Sequence, residues 1–361
     1  MPSRCRGPLA VTFLLLASVT HLPAQTPAVV LKSGAMEIAI NGRLHTQFNT
    51  TSVDDEPATA FELRRIRLEA LVKINDVVSG KIQPDFAGNR VVMKDAYMRI
   101  TLDPGFQILA GQAHRPFSPI PFTSSTRILP IERGVRIRGV DDAWDEYNLV
   151  SVLGYSERDV GLQVMGSPRG APLGLFYQAG IFNGPARAEA GSEDTYQVGA
   201  RLAVQPLPNV RVGGAWSSRH FARPAIPAVP GAPPEIERGH AWEVDVEYGG
   251  YEPGLHVVAE AVYGDFDPFA GARFFGAQGW LAWRTDELAS KIVNVEPVLR
   301  VSYGDANAND SGPEEGGGTL VTPGVNLYLG GLNRIMFNYD FWNPLAGEKH
   351  SSFKAQFQLG F

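Results

Sequence analysis

Five arginines stand between Arg115 and Arg138 (Arg115, Arg127, Arg133, Arg136 and Arg138) against a single acid, Glu132. From Asp141 to Glu157 the balance reverses, with five acids and no base. An arginine cluster with few matching carboxylates suits an anion, because the planar guanidinium donates bidentately to phosphate or carboxylate and keeps its charge at any working pH. The competing reading is a solvated loop whose halves pair in exposed salt bridges, each worth ~0–1 kcal/mol. Catalytic chemistry has weaker support. There is no Gly-x-Ser-x-Gly elbow, no His-Glu-x-x-His and no Walker motif. The histidines His45, His114, His220, His240, His256 and His350 are scattered singly, and no residue set calls for a cofactor or a metal. Asp305–Asp310 looks like the start of a calcium loop but lacks the glycine at its sixth position and the glutamate at its twelfth.

The elements that must position these arginines are strands. In Phe61–Ile74 one face carries Ile66, Leu68, Ala70, Val72 and Ile74, and the other Arg65, Arg67, Glu69, Leu71 and Lys73. Strict alternation is a β-strand whose faces meet different surroundings. A soluble sheet would bury the apolar face, whereas a membrane barrel turns it to lipid and the charged face to a watery lumen.

The N-terminus favours the second reading. Arg4 and Arg6, the apolar run Leu9–Val19 and the polar His21–Gln25 read as a secretory signal cleaved after Ala24 or Gln25. Cys5 leaves with it, so disulfides and cysteine chemistry are excluded from the mature chain. No other apolar run approaches the ~20 residues of a spanning helix, while a barrel strand needs only ~9–11. The formal charge of −6 becomes about −8 without the two signal arginines, which argues against nucleic acid as a partner.

After a short lead-in, residues 25–35, the alternation predicts sixteen strands: Met36–Thr50, Phe61–Ile74, Val78–Ala87, Val91–Leu102, Phe106–Ala113, Arg158–Gly166, Leu173–Phe182, Thr195–Gln205, Val210–Arg219, Ala241–Tyr248, Leu255–Tyr263, Arg273–Arg284, Ile292–Tyr303, Thr322–Leu329, Asn333–Phe341 and Ser351–Phe361. Connections alternate between short turns and longer loops, and the longest, His114–Glu157, is the third of the long set. That rhythm predicts an all-β antiparallel outer-membrane barrel over residues 36–361. A periplasmic β-sandwich gives no reason for it. The last strand alternates and ends on Phe361, resembling the signal read by the barrel assembly machinery. Trp242, Tyr248, Tyr263, Trp283, Tyr303, Tyr339 and Phe341 near predicted strand ends suit aromatic girdles at the lipid interfaces, or ordinary β-propensity.

The sequence resembles the phosphate-selective porins O and P, most clearly from Phe61 to Gly184. The resemblance rests on Arg64-Arg65-x-Arg67, Gln83–Ala87, Lys94-Asp95-Ala96-Tyr97, Gly111-Gln112 followed by Pro116-Phe117, Glu132-Arg133, Arg158-Asp159-Val160-Gly161 and Gly180–Gly184, in that order. It implies a sixteen-stranded homotrimeric, anion-selective channel of the bacterial outer membrane, with a long third external loop, here residues 114–157, folded into the pore as a constriction. One departure stands out. The best-known phosphate channels of this group rely on lysines at the constriction, and His114–Glu157 contains none.

The expected anion pathway joins the five loop arginines to the wall bases Arg43, Arg65, Arg67, Lys73, Lys81 and Arg99. A distant wall carries Glu243, Asp245, Glu247, Glu260 and Glu296, which would set a transverse field across the lumen. The expected function is passive diffusion of small anions, phosphate included. The alternatives are a general or sugar-passing diffusion porin on the same scaffold, a purely structural barrel, and a barrel hydrolase with a wall-mounted Ser–His pair.

Overall fold

The computed structural model describes residues 29–53, 56–141, 143–184, 196–223, 235–310 and 317–361. The expected signal segment, residues 1–24, lies outside the described residues. A short strand, β1 (Val29–Ser33), precedes sixteen that close into a ring. Those of the first half are β2 (Met36–Val53), β3 (Glu56–Lys73), β4 (Val78–Asp85), β5 (Val92–Asp103), β6 (Phe106–His114), β7 (Arg158–Gly166), β8 (Phe176–Phe182) and β9 (Gln197–Leu207). Those of the second are β10 (Val210–Arg223), β11 (Glu235–Tyr248), β12 (Gly254–Asp267), β13 (Ala272–Arg284), β14 (Asn294–Asp305), β15 (Gly318–Gly330), β16 (Asn333–Pro344) and β17 (His350–Gly360). Every expected strand is present.

Each strand pairs antiparallel with the next, and β17 returns to β2 from Ser351 opposite Ser52 to Gly360 opposite Arg43. Closure leaves no open edge, the condition for a sheet in lipid, where an unsatisfied backbone group costs several kcal/mol. Phe361 continues the seam, exchanging backbone hydrogen bonds with Gly42 at 2.8 and 3.1 Å. Beyond that point β1 takes over the same side of β2, pairing Val29 with Ile40 and Ser33 with Met36. The lead-in is therefore partly a strand, which its short alternation did not announce. Thr51–Ala60, expected as an external loop, is instead a paired hairpin, with β2 and β3 in register from Thr51 opposite Ala58 to Val53 opposite Glu56.

The faces are inverted relative to a soluble protein. Along β11, Trp242, Val244, Val246 and Tyr248 are 40–62 % exposed, while Glu243 and Asp245 between them are 2 % and 5 % exposed. The apolar face thus meets lipid and the polar face looks inward. Trp242, Tyr248, Tyr263, Trp283, Tyr339 and Phe341 are all exposed on the outer face.

The buried apolar core lies inside the ring, between the long third loop and the wall of β10–β16. Phe117, Leu149, Val150 and Tyr155 pack on Ala215, Ala241, Val262 and Phe274. Ile120, Ile128 and Leu129 pack on Val258, Trp280, Ala282 and Val298, and Val135, Ile137 and Ala143 pack on Leu320 and Trp342. Two short helices organise the loop. The first, α1 (Pro119–Phe122), has Ser118 as its cap, with the Ser118 hydroxyl accepting from the Ile120 N–H. The second, α2 (Glu146–Val152), begins with the Asp145 side chain accepting from the Asn148 N–H at 3.0 Å. The start of α2 approaches the wall so closely that a Cβ on Gly304 would overlap the Trp144 carbonyl, and one on Gly276 would lie 2.9 Å from the Glu146 Cα.

Candidate functional site

The loop backbone between Thr126 and Gly134 is read by the side chains of four consecutive wall strands. Gln358 donates to the Thr126 carbonyl at 3.0 Å, Arg334 to Ile128 at 2.7 Å and Asn326 to Leu129 at 3.0 Å. Asn338 accepts from the Ile131 N–H at 2.6 Å, and Arg300 donates to the Glu132 carbonyl at 2.7 Å. A segment with no regular structure needs such partners once it leaves water. Arg300 and Lys354 also share Asp340, so the bases of this wall are engaged in holding the loop and each other.

The same packing disposes of the acidic wall. Glu243 and Asp245 bridge Arg201 at 2.7 and 2.5 Å, Glu260 accepts from Ser118 at 2.6 Å, and Glu296 meets Arg284 at 2.9 Å. Four of the five expected wall acids are therefore buried and partnered. The fifth, Glu247, pairs with Arg211 and with His256.

What stays uncovered is the other wall. A cavity of about 310 Å³ lies between the loop and β2–β8, and six bases line it: Arg43, Arg67, Lys81, Arg99, Arg133 and Arg158. Among the described residues Asp95 is its one carboxylate. Five of those bases come from the sequence-derived set, brought together from β2, β3, β4, β5 and the loop. A second cavity of about 500 Å³ lies toward the short turns and shares Arg43, Lys81, Phe122, Thr123, Ser124 and Gln178 with the first. Arg127 lines the second cavity, its guanidinium 5.1 Å from the Tyr251 ring centre.

The cavity bases are held in place by neighbours. Arg43 donates to the hydroxyls of Ser124 and Ser125 at 2.9 and 3.2 Å. Arg133 caps the end of α1 through the Ile120 and Thr123 carbonyls at 3.1 and 2.5 Å. Arg67 pairs with Asp85 at 2.7 Å, Lys81 reaches Glu69 and Asp95 at 2.8 and 2.9 Å, and Arg158 meets Asp95 at 2.5 Å.

The remaining expected residues line neither of these two cavities. Arg115 is buried against Gln197 and the Ser156 carbonyl. Arg65 is buried on Glu132 at 3.1 Å, and Arg136 pairs with Glu62. Lys73 sits at an exposed turn with Asp76, 2.7 Å away, and Arg138 is exposed. Sequence reasoning left Arg158, Arg201 and Arg211 out of the anion pathway, although Arg158 stands in one of the family motifs. The last two sit on the inward faces of β9 and β10, where period-two reading of those strands would have found them. Arg158 opens its strand beside a positive-φ residue, Glu157, and its direction follows from Asp95, which no local pattern reveals.

The loop carboxyls Glu132, Asp145 and Glu146 are strongly perturbed. Burial pushes Glu132 up, but Arg64 and Arg65 outweigh it and hold the group well below the usual carboxylate range. Burial raises Asp145 to about 6 against the pull of Arg300. Burial, and then Glu260 beside it, push Glu146 well above its ordinary value.

A closed ring of sixteen antiparallel strands with an inward polar face, a lipid-facing apolar face and a lumen narrowed on one side defines a porin-type barrel. The chain belongs to the phosphate-selective porin O and P family, whose family model matches residues 38–218. Such a barrel resides in the bacterial outer membrane and works as a channel. An anion-selective porin from Comamonas acidovorans superimposes with a TM-score of 0.61 at 11% identity, covering 90% of this chain and 100% of that one. Salmonella typhi OmpF gives 0.60 at 12%, covering 92% and 100%, and the trimer form of Vibrio cholerae OmpT gives 0.56 at 12%, covering 90% and 100%. At these identities the likeness is one of fold. A comparison with curated proteins finds no match.

Proposed function

We propose that this porin passes small anions, phosphate among them, passively through the lumen left between the third loop and β2–β9. The loop acts as the constriction. The observation that carries the reading is an asymmetry of cover: the apolar bulk of the loop packs over the acidic wall and touches the base-rich wall at only a few polar contacts, so that, among the described residues, six bases face one carboxylate in the first cavity. A partly dehydrated anion needs fixed charge and donors held in advance, and weak enough in sum to release it. The serine-held Arg43 and the carbonyl-held Arg133 supply such groups without reorganising. Export by the N-terminal signal, insertion by the assembly machinery through Phe361, and a homotrimeric state complete the proposal.

One observation favours a general diffusion porin. Arg67, Lys81 and Arg158 each have a carboxylate within 3 Å, which reduces the net field an incoming ion meets. The reversal potential of the purified protein in a planar bilayer under a potassium chloride gradient decides between the two. A potential on the chloride side, with current that falls as millimolar phosphate is added, supports an anion pore with a site. A potential near zero leaves the diffusion porin.

A further inference from the structure

The second cavity has a lining that inorganic anions do not call for. Leu71 breaks the charged face of β3, lying inward between Glu69 and Lys73, and it is 36% exposed. Phe176 occupies the inward face of β8 two residues before Gln178, and both line the cavity. On the loop, Phe122 stands 39% exposed at the rim that both cavities share. Tyr251 and Leu332 continue the apolar surface toward the short turns. Water-facing apolar side chains inside a lumen are unfavourable unless something apolar covers them.

The same cavity is cationic on balance: Arg43 and Lys81 stand at the rim, Arg127 lies on the Tyr251 ring, and Arg201 and Arg211 line it too, against the carboxylates Glu69 and Glu247. Its volume of about 500 Å³ falls in the ~300–1,000 Å³ range of small-molecule sites, in which a mostly apolar lining is combined with a few placed polar groups. Phosphate is strongly hydrated and gains nothing from a phenyl ring or a leucine. A solute with a carboxylate at one end and a hydrocarbon body at the other uses both parts. Its carboxylate meets the Arg43 guanidinium and the Lys81 ammonium at the rim, while its body covers Phe122, Leu71 and Phe176.

We propose that the turn-side cavity is a subsite for organic anions with an apolar body, small aromatic carboxylates being the class it fits. The proposal rests on the anion-pore reading and narrows its cargo. It assigns Phe122 a selective role: at a rim shared by two polar-ended cavities, the ring favours solutes that stack on it over hydrated ions of equal charge.

The test is block of single-channel chloride current by benzoate and by acetate, at pH 8 where both are ionised, in the same bilayers in which the reversal potential is read. Benzoate is expected to halve the current at a concentration at least tenfold below acetate. Phe122→Ala and, separately, the milder Leu71→Asn are expected to bring the two half-blocking concentrations together. Equal block by benzoate and acetate, with the reversal potential on the chloride side, overturns this subsite and leaves the anion pore. A benzoate preference that survives both substitutions also overturns it, since the preference then resides elsewhere. A reversal potential near zero or on the cation side overturns the anion pore itself.

Discussion

Glu132 accepts from the Nε of Arg64 at 2.7 Å, and Arg64 is the residue that a bulge leaves without a cross-strand partner in β3. His45 pairs with Arg65 and Thr46 with Leu63, so the strand carries one residue more than its neighbour. A bulge of this kind re-aims a side chain. Here it turns two successive arginines toward one loop carboxylate, Arg65 reaching it at 3.1 Å. The loop is thereby tied to the basic wall, as it also is through Arg43 with Ser124 and Ser125 and through Arg136 with Glu62, while its apolar bulk packs on the opposite wall.

Replacing Glu132 with Gln should therefore loosen the barrel's inner packing. Removing one partner of a buried pair costs about 3–5 kcal/mol because the other charge stays behind. Arg64 keeps some access to solvent, which puts the expected loss at ~3 kcal/mol. Denaturant unfolding of the micelle-solubilised protein reads it, with an unchanged midpoint as the contrary result. The carboxylate's pH dependence has a definite sign. Its folded pKa is depressed, so its contribution is complete above the ordinary glutamate value of ~4.3 and is lost only as pH falls toward the folded value. The midpoint difference between wild type and E132Q should shrink in strong acid.

Arg133→Gln and Arg136→Gln, three residues apart in sequence, should have unequal effects. Arg133 lines the first cavity, whereas Arg136 points away to Glu62. One unit charge ~4 Å from a passing ion is worth ~1 kcal/mol in water, or about fivefold in a permeability ratio. The anion-over-cation ratio should fall by about that much for R133Q and by much less for R136Q. Equal losses would mean that the Glu62 pair opens in the conducting state.

Arg158→Gln should lower the same ratio more than R133Q does. Arg158 contributes a positive charge and also covers Asp95, the one carboxylate of the cavity, at 2.5 Å. Its loss removes a cation and leaves Asp95 with Lys81 alone. Reversal potentials of the two variants under one gradient compare them directly. A smaller effect for R158Q would place Asp95 outside the ion's path.

How far the fold was legible follows from the range of the forces that set each part. Alternation is local, so all sixteen closing strands could be read, and the bases Arg43, Arg67, Lys81 and Arg99 could be assigned to the inner face by parity. The bulge at Arg64 breaks that parity through a contact with Glu132, nearly seventy residues on, and no local pattern marks it. The loop arginines share a composition and diverge in placement, because their positions follow from wall partners such as Gln197 for Arg115 and Glu62 for Arg136. The wall acids were legible as a set. Their burial was not, since it depends on which side of the lumen the loop packs against, and that is decided by apolar packing such as that of Ile128 and Leu129 in the cluster with Val258, Trp280 and Val298.

The acid half of the loop should respond to pH with the opposite sign to Glu132. Asp145 is raised to about 6 and Glu146 is pushed further above its ordinary value, both chiefly by burial. The groups facing them are Glu260 on β12, Gln278 on β13, and Ser302 and Arg300 on β14. A raised folded pKa gives stability that is complete below the unfolded value, ~3.9 for Asp145, and lost as pH rises through about 6. The α2 end should therefore hold firmest in mild acid and work loose as pH climbs, with Glu146 extending the loss to higher pH. Open-channel current noise reports the loop's motion and should grow from pH 4 to pH 8. Asp145→Asn keeps a capping oxygen for the Asn148 N–H and removes the titration, so it should flatten the lower part of that rise. Noise that is equal at all pH values in the wild type would mean that the contacts of Trp144 with Gly317 and of Val150 with the wall hold the helix whatever the charge on its first turn.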